Sequence, residues 1–355
     1  MNSTPGTYVL SIHHFPCLWG DFLQKNKKKE SLNIFLRLLP CTAVICGLLL
    51  YPRSALHYAG VGLNAWFHQM IPTLFPFMVI TGIMIRMGLT EHFAGFFRPF
   101  LSPLFSLRND CLYVIIIGFL CGFPMGARVC AEMYDKGKLS RQEAQYLLSF
   151  CNNIGPVFFV SFVMATLPTP VFAGTTATIS MALCLLGMYG LPVIYGILLR
   201  HTTYRQLCSS HMESPQELYR FAADTGKPLS FAAALDEAVS SGLDSIAKLG
   251  GYMIFFNMLN LFPALLFSGL PANIREMFLP PLSLLLEITG GIASFGKTHP
   301  FLTLTLLPFG GASCIAQTYS MIAHTDLSVY QYVRHKLIQT AVTGLYFYFT
   351  ARILL

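Results

Sequence analysis

The sequence predicts an all-α polytopic membrane protein, and three observations carry that prediction. The first is composition: of 355 residues, 54% are apolar and only 11% are charged, where a soluble domain has about 25% charged residues. Mean hydropathy is +0.57, and a soluble protein of this size would have too few charges to cover its surface. The second is distribution. No Asp, Glu, Lys or Arg occurs from Ser54 to Ile85, from Ala144 to Leu199, from Leu249 to Ile274, or from Thr298 to Thr325. One helical crossing needs about 20 apolar residues, so these runs read as spans, the second being long enough for two. The third is periodicity, because the runs lack the polar–apolar alternation of strands that cross a bilayer. Nucleic-acid binding is excluded as the main activity. The net charge of +7 comes from basic residues at the ends of apolar runs, where they set orientation.

Residues 1–33 read as a cytoplasmic tail, since Lys25, Lys27, Lys28 and Lys29 stand just before the first apolar run. That run, Ile34 to Leu50, is the core of a first transmembrane helix over 34–52, with Arg37 snorkelling back to the interface. It lies too far from the start for a cleaved signal peptide. The next block, 55–200, begins with the weakly amphipathic Ala55 to Met70 and the apolar Leu74 to Met87, followed by a Phe-rich interfacial element between Glu91 and Asp110. Cys111 to Tyr134 is apolar but broken at its centre by Gly122, Pro124 and Gly126. Asp135 to Glu143 is a charged turn in which Ser140, with Glu143 three residues on, makes a helix start. The helix it opens is interrupted at Asn152, Asn153, Gly155 and Pro156, and Pro168 and Pro170 separate that segment from a span over Val171 to Leu199. Residues 201–233 form a polar linker too short for a catalytic domain. The last block, 234–355, holds four apolar segments: Leu243 to Phe267, Met277 to Ile292, Leu302 to Ile322 and Val333 to Leu355. In all, the chain has about eight long hydrophobic segments.

The two blocks repeat each other sparsely. An offset of 180 pairs Gly62 with Gly242, Phe75 with Phe255 and Met78 with Met258. An offset of 188 pairs Gly122 with Gly310, Met133 with Met321 and Leu139-Ser140 with Leu327-Ser328. Duplicated halves with interrupted helices are how many secondary transporters build a site near the bilayer midplane.

The breaks are the candidate solute-binding elements. A helix opened at membrane depth frees backbone groups that lipid cannot satisfy, so the opening is buried in protein or lines a cavity. Gly122, Pro124 and Gly126 therefore mark a site, although glycines at this spacing equally serve close helix packing. Arg128, just after them, offers a cation to an anion and shares a helical face with Glu132, with which it can pair. Asn152, Asn153, Gly155 and Pro156 bring amide donors and acceptors to the second break. In the other block Gly310, Gly311, Ser313 and Gln317 form the corresponding polar segment, readable also as a helix-packing seam.

Enzymatic constellations do not stand out. No GxSxG, HExxH, Walker or GxGxxG element occurs in its required context. Glu287 and Asp244 read as isolated acids, with Asp244 placed to pair with Lys248 four residues on. Seven of the ten cysteines lie in apolar stretches without CxxC spacing, which reads as buried free thiols. No cofactor and no metal site is expected, and the chain is not read as an enzyme.

The stretch GFPMGARVCAEMYDKGKLSRQEAQYLLSFCNNIGPVFF, Gly122 to Phe159, resembles the signature of the sporulation integral membrane protein YlbJ family, whose repeats are described as nucleoside-recognition or Gate domains. IPTLFPFMVITGIMIRMGL, LGGYMIFFNMLN and FGGASCIAQTYSMI are similar to further family segments. The resemblance implies two inverted Gate-type repeats with broken or re-entrant helices, a distant likeness to concentrative nucleoside transporters, and transport of the small anion dipicolinate in the mother-cell or outer forespore membrane during endospore formation. The expected function is thus membrane transport of a small polar, anionic solute. A non-transporting scaffold and a nucleoside transporter are the alternatives. The expected partners are the solute and the lipid bilayer, with self-association left open.

Overall fold

Apolar runs that must satisfy their own backbone groups fold as helices. The computed structural model describes residues 34–205 and 229–354, and no strand occurs among them. The expected tail 1–33 and most of the expected linker lie outside the described residues. The chain divides into two units, Met1–Ala55 and Leu56–Leu355. The first holds helix α1, Ile34–Leu50.

Helix α2, Pro52–Arg86, follows, with one π-helical turn at Trp66–Met70. A Phe-rich helix α3, Thr90–Phe105, stands where the interfacial element is expected and meets α4, Asn109–Cys121, at 94°. Then come α5, Met125–Asp135, α6, Arg141–Leu148, α7, Pro156–Thr166, and α8, Ala177–His201. Helix α9, Phe231–Ser268, already begins inside the stretch expected as linker, because Ser230 caps it by accepting the Ala233 N–H. The remaining helices are α10, Ala272–Leu286, α11, Ile288–Phe295, α12, Pro300–Leu306, α13, Gly311–Ile322, and α14, Val329–Leu354.

Among the described residues four helices are long and apolar enough to cross a membrane: α2, α8, α9 and the joined α12–α13, Pro300–Ile322. The bent α3–α4 pair makes a fifth candidate. This is fewer than the eight segments expected, because several of those are folded back or interrupted. Met277 to Ile292, expected as one segment, is two helices reversed at Glu287, so that a Cβ on Gly291 would lie 2.8 Å from Leu284 Cα. Cys111 to Tyr134 is a hairpin of α4 and α5 with its tip at Gly122–Pro124. Its open end is closed by Arg108, whose Nη2 donates to Lys138 O at 3.0 Å and to Glu143 Oε2 at 2.9 Å.

The hairpin reverses where the sequence offers no alternative. Gly122 has φ +89°, a conformation glycine adopts without cost, and its backbone lies against Gly155 so closely that any Cβ would collide with Gly155 N. On Gly126 a Cβ would sit 2.6 Å from Cys151 O. The glycines thus serve both readings, as a break and as close packing. Helix α6 starts as expected, with Ser140 Oγ accepting the Glu143 N–H at 3.2 Å and Glu143 Oε2 accepting the Ser140 N–H at 2.8 Å.

Along helix α14 polarity is inverted relative to a soluble fold. Helix α14 exposes Leu345, Tyr348, Phe349 and Ile353 and buries Tyr332, His335, Lys336, Gln339 and Thr343. Large apolar side chains facing outward over a polar buried face suit a lipid solvent. Helices α2 and α9 pack antiparallel at the centre: Trp66 Nε1 donates to Ile246 O at 2.8 Å, Gly62 lies against Met253, and Gly82 lies against Ala238.

Candidate functional site

Four irregular segments meet at one cavity. The α4–α5 tip contributes Gly122 and Phe123, and the gap between α6 and α7 contributes Ile154 and Gly155. The α10–α11 tip contributes Glu287, Ile288 and Thr289, and the gap between α12 and α13 contributes Leu307. Thr73 on α2 and Cys314 and Gln317 on α13 complete the polar part of the wall. The cavity, about 50 Å³, has room for a few waters, since each needs about 10–15 Å³ of this measure.

Glu287 is the one charged group among the described residues that line it. The carboxylate is buried, at 1% exposure. The Nδ2 of Asn257 donates to Oε2 at 2.8 Å, Gly290 N donates at 2.9 Å, and the Thr289 hydroxyl donates to the same oxygen. Local sequence explains this arrangement, because Glu287 is the N-cap of α11 and Gly290 is the third residue beyond it. Among the described residues no salt bridge reaches Glu287.

A second buried ionisable side chain lies behind the wall. Lys336 Nζ donates to Asn153 Oδ1 at 2.9 Å and to Gln339 Oε1 at 3.1 Å, and it stands 5.0 Å from the centre of the Phe123 ring. Gln339 Nε2 in turn donates to Ser149 O at 2.7 Å, so α14 holds the open backbone between α6 and α7. Asn152 Nδ2 bonds Thr318 Oγ1 at 2.9 Å and Tyr332 OH at 3.1 Å, and its Oδ1 accepts the Ala127 N–H at 3.3 Å.

The residues expected from the sequence to bind solute are therefore sorted by the fold. Gly122, Gly155 and Gln317 line the cavity. Pro124 closes the tip beside them and Pro156 opens α7. Asn152 and Asn153 join the breaks to α13 and α14 by the bonds above. Gly126 packs on Cys151. Gly310, with φ +75°, lies against Phe123, at 3.4 Å from a Cβ to Cε2, and Gly311 lies beneath the last carbonyls of α10. Ser313 accepts from Gln317 Nε2 at 2.9 Å. The irregular backbone is shorter than expected, with helix resuming at Met125, Pro156 and Gly311.

Arg128 stands elsewhere. Its Nη2 donates to Ser241 Oγ at 2.9 Å on α9, and its Nη1 has no partner among the described residues. Glu132, expected as its partner, pairs instead with Arg86 at 3.2 Å. The Asp244–Lys248 pair forms as expected, at 2.6 Å on an exposed face. The residues that sequence reasoning passed over are Glu287, Asn257 and Lys336. Two signals pointed to them: the Glu-Ile-Thr-Gly spacing of an N-cap inside an apolar segment, and the stripe of Tyr332, Lys336, Gln339 and Thr343 at helical spacing within a supposed span.

Helices of membrane-crossing length, an outward apolar surface and buried polar groups at broken segments define a polytopic helical membrane protein. The chain is 23% identical over 323 residues to the sporulation integral membrane protein YlbJ of Bacillus subtilis (strain 168), covering 81% of this chain and 76% of that one. This similarity supports membership of the chain in the YlbJ family. No family model matches the chain, and no solved structure matches it.

Proposed function

We propose that this protein carries a small polar solute across a membrane through the cavity where the four irregular segments converge. That convergence is the observation that supports the reading, since irregular backbone at membrane depth belongs where it lines a cavity and transporters place their sites between such elements. The order of elements supports a duplication. A hairpin, an interrupted segment and a long helix recur as α4–α5, α6–α7 and α8, and again as α10–α11, α12–α13 and α14. Helices α2 and α9, matched at the offset of 180, pack reciprocally: Gly62 lies on Met253 and Asn257, while Gly242 lies on Phe75 and Met78. The reciprocity holds to within one or two residues, since Met253 and Asn257 match Thr73 and Phe77 at that offset; such contact is what a two-fold axis produces, and an antiparallel pair of crossing helices puts that axis in the membrane plane, as inverted repeats require. On this order the counterpart of the Gly122–Pro124 tip is the turn at Glu287, so the offset of 188 between Gly122 and Gly310 aligns a hairpin tip with a helix break.

The solute is a small anion, and dipicolinate is the first probe because the relative is a sporulation protein. Lys336 behind Phe123 supplies a cation close to the wall. Glu287 favours a second reading, a neutral solute rich in hydroxyl donors such as a nucleoside, because its carboxylate repels an anion. Two like charges 4 Å apart repel by about 4 kcal/mol at an effective dielectric constant of about 20. Flux of labelled dipicolinate and labelled uridine into proteoliposomes containing the full chain separates the readings. Faster entry of dipicolinate than into empty vesicles is the expected result, entry of uridine alone supports the second reading, and entry of neither leaves the chain a scaffold.

A further inference from the structure

Resting on the transport reading, we propose that Glu287 takes up a proton with each solute, so that solute movement is coupled to proton movement. The geometry divides the carboxylate into two functions. Oε2 is held by Asn257, Thr289 and Gly290. Oε1 takes part in none of these three bonds, and the carboxylate borders the cavity. A lone buried charge is costly, and an anion entering beside it raises that cost. A proton removes both penalties: it comes from water on one side, bonds to Oε1 while the solute is enclosed, and returns to water on the other side. The fold holds Oε2 fixed in either state.

The surroundings leave this task to Glu287. The groups that share its cavity wall are Thr73 on α2, Cys121 at the end of α4, and Cys314 and Gln317 on α13, so the other titratable groups there are two thiols. On α9, Asn257 faces it, while Asp244 and Lys248 pair on an exposed face. Arg275 and Glu276 are exposed near the far end of α10, and His299, before α12, bonds the neighbouring Thr298 hydroxyl. Lys336 on α14 lies over the Phe123 ring and outside the wall.

The test uses the full chain in proteoliposomes loaded with a pH-sensitive dye. Addition of external dipicolinate, or of uridine if that is the solute carried, should acidify the lumen as solute enters. An imposed inward proton gradient should concentrate the solute by up to about tenfold per pH unit, the limit for one proton. Glu287→Gln should abolish the solute-dependent proton signal, Glu287→Asp should restore part of it, and Asp244→Asn, on the exposed face, should behave as the native chain. Solute entry in the native protein without proton entry would overturn the inference whatever the variants do, as would accumulation driven by an inward sodium gradient at equal pH. If no solute moves, the transport reading has failed. The infrared carboxylic-acid band then still decides the protonation of Glu287: a band that appears on acidification and is missing in Glu287→Gln upholds it, and a band unchanged by that substitution refutes it.

Discussion

The two hairpin tips reach the same cavity with opposite chemistry. The α4–α5 tip, Gly122-Phe123-Pro124, brings backbone and a ring, and its position depends on the absence of side-chain atoms where Gly122 meets Gly155. The α10–α11 tip brings a carboxylate held by three donors. One tip is fixed by shape, the other by a saturated polar network. Glycine and proline announce the first kind of break in a sequence, whereas the second is carried by residues of ordinary type whose partners are distant in the chain.

Substitutions should separate the two tips. The largest effect is expected at Gly122. Alanine there combines a φ of +89° with a Cβ directed into Gly155 N, so Gly122→Ala should lose about 2–4 kcal/mol of stability. In contrast, Gly251→Ala, in the middle of α9 with nothing within 4 Å of a new Cβ, should gain about 0.5–1 kcal/mol. Thermal unfolding of both variants in detergent checks the pair, and equal melting points would remove the steric account of the first tip.

At the second tip the chemistry of the replacement should matter more than its size. Glu287→Ala strands the Asn257, Thr289 and Gly290 donors, at a cost of about 1–3 kcal/mol. Glu287→Gln keeps an acceptor for them and should melt within about 1 kcal/mol of the native chain. If alanine and glutamine melted alike, the donors would not be holding the tip.

The smallest effect on uptake is expected at Arg128. Its guanidinium bonds Ser241 on α9 rather than lining the cavity, so Arg128→Gln should alter solute uptake at matched expression by about twofold or less, the scale of a substitution away from a site. Loss of uptake with unchanged melting would return Arg128 to the solute pathway.

The same contrast explains what was legible in the sequence. Helical class, the breaks at Gly122 and Asn152–Pro156, the capped start at Ser140 and the Asp244–Lys248 pair are local features, each readable from a few neighbouring residues. Glu287 looked isolated because its side-chain partner Asn257 lies 30 residues earlier and is brought to it by the return of α10. Lys336 looked like part of a span because its partner Asn153 lies 183 residues away. Arg128 drew attention by its closeness in sequence to the glycines, yet one helical turn past the tip its side chain is directed at α9. The reversal at Glu287 was hidden because an apolar run reads the same whether it crosses once or folds back.

The account's central claim is that the convergent breaks enclose a solvated, solute-accessible cavity rather than a dry packed interior. Cys314 lines that cavity, while Cys130 is fully buried between α5 and α6, donating from Sγ to Ala144 O. The decisive measurement is the reaction rate of a membrane-impermeant thiol reagent with Cys314, in full-length protein whose other cysteines except Cys130 are replaced by serine, with and without solute. The account predicts that Cys314 reacts, that solute slows the reaction, and that Cys130 stays unmodified. A Cys314 as inert as Cys130 in every condition would contradict it.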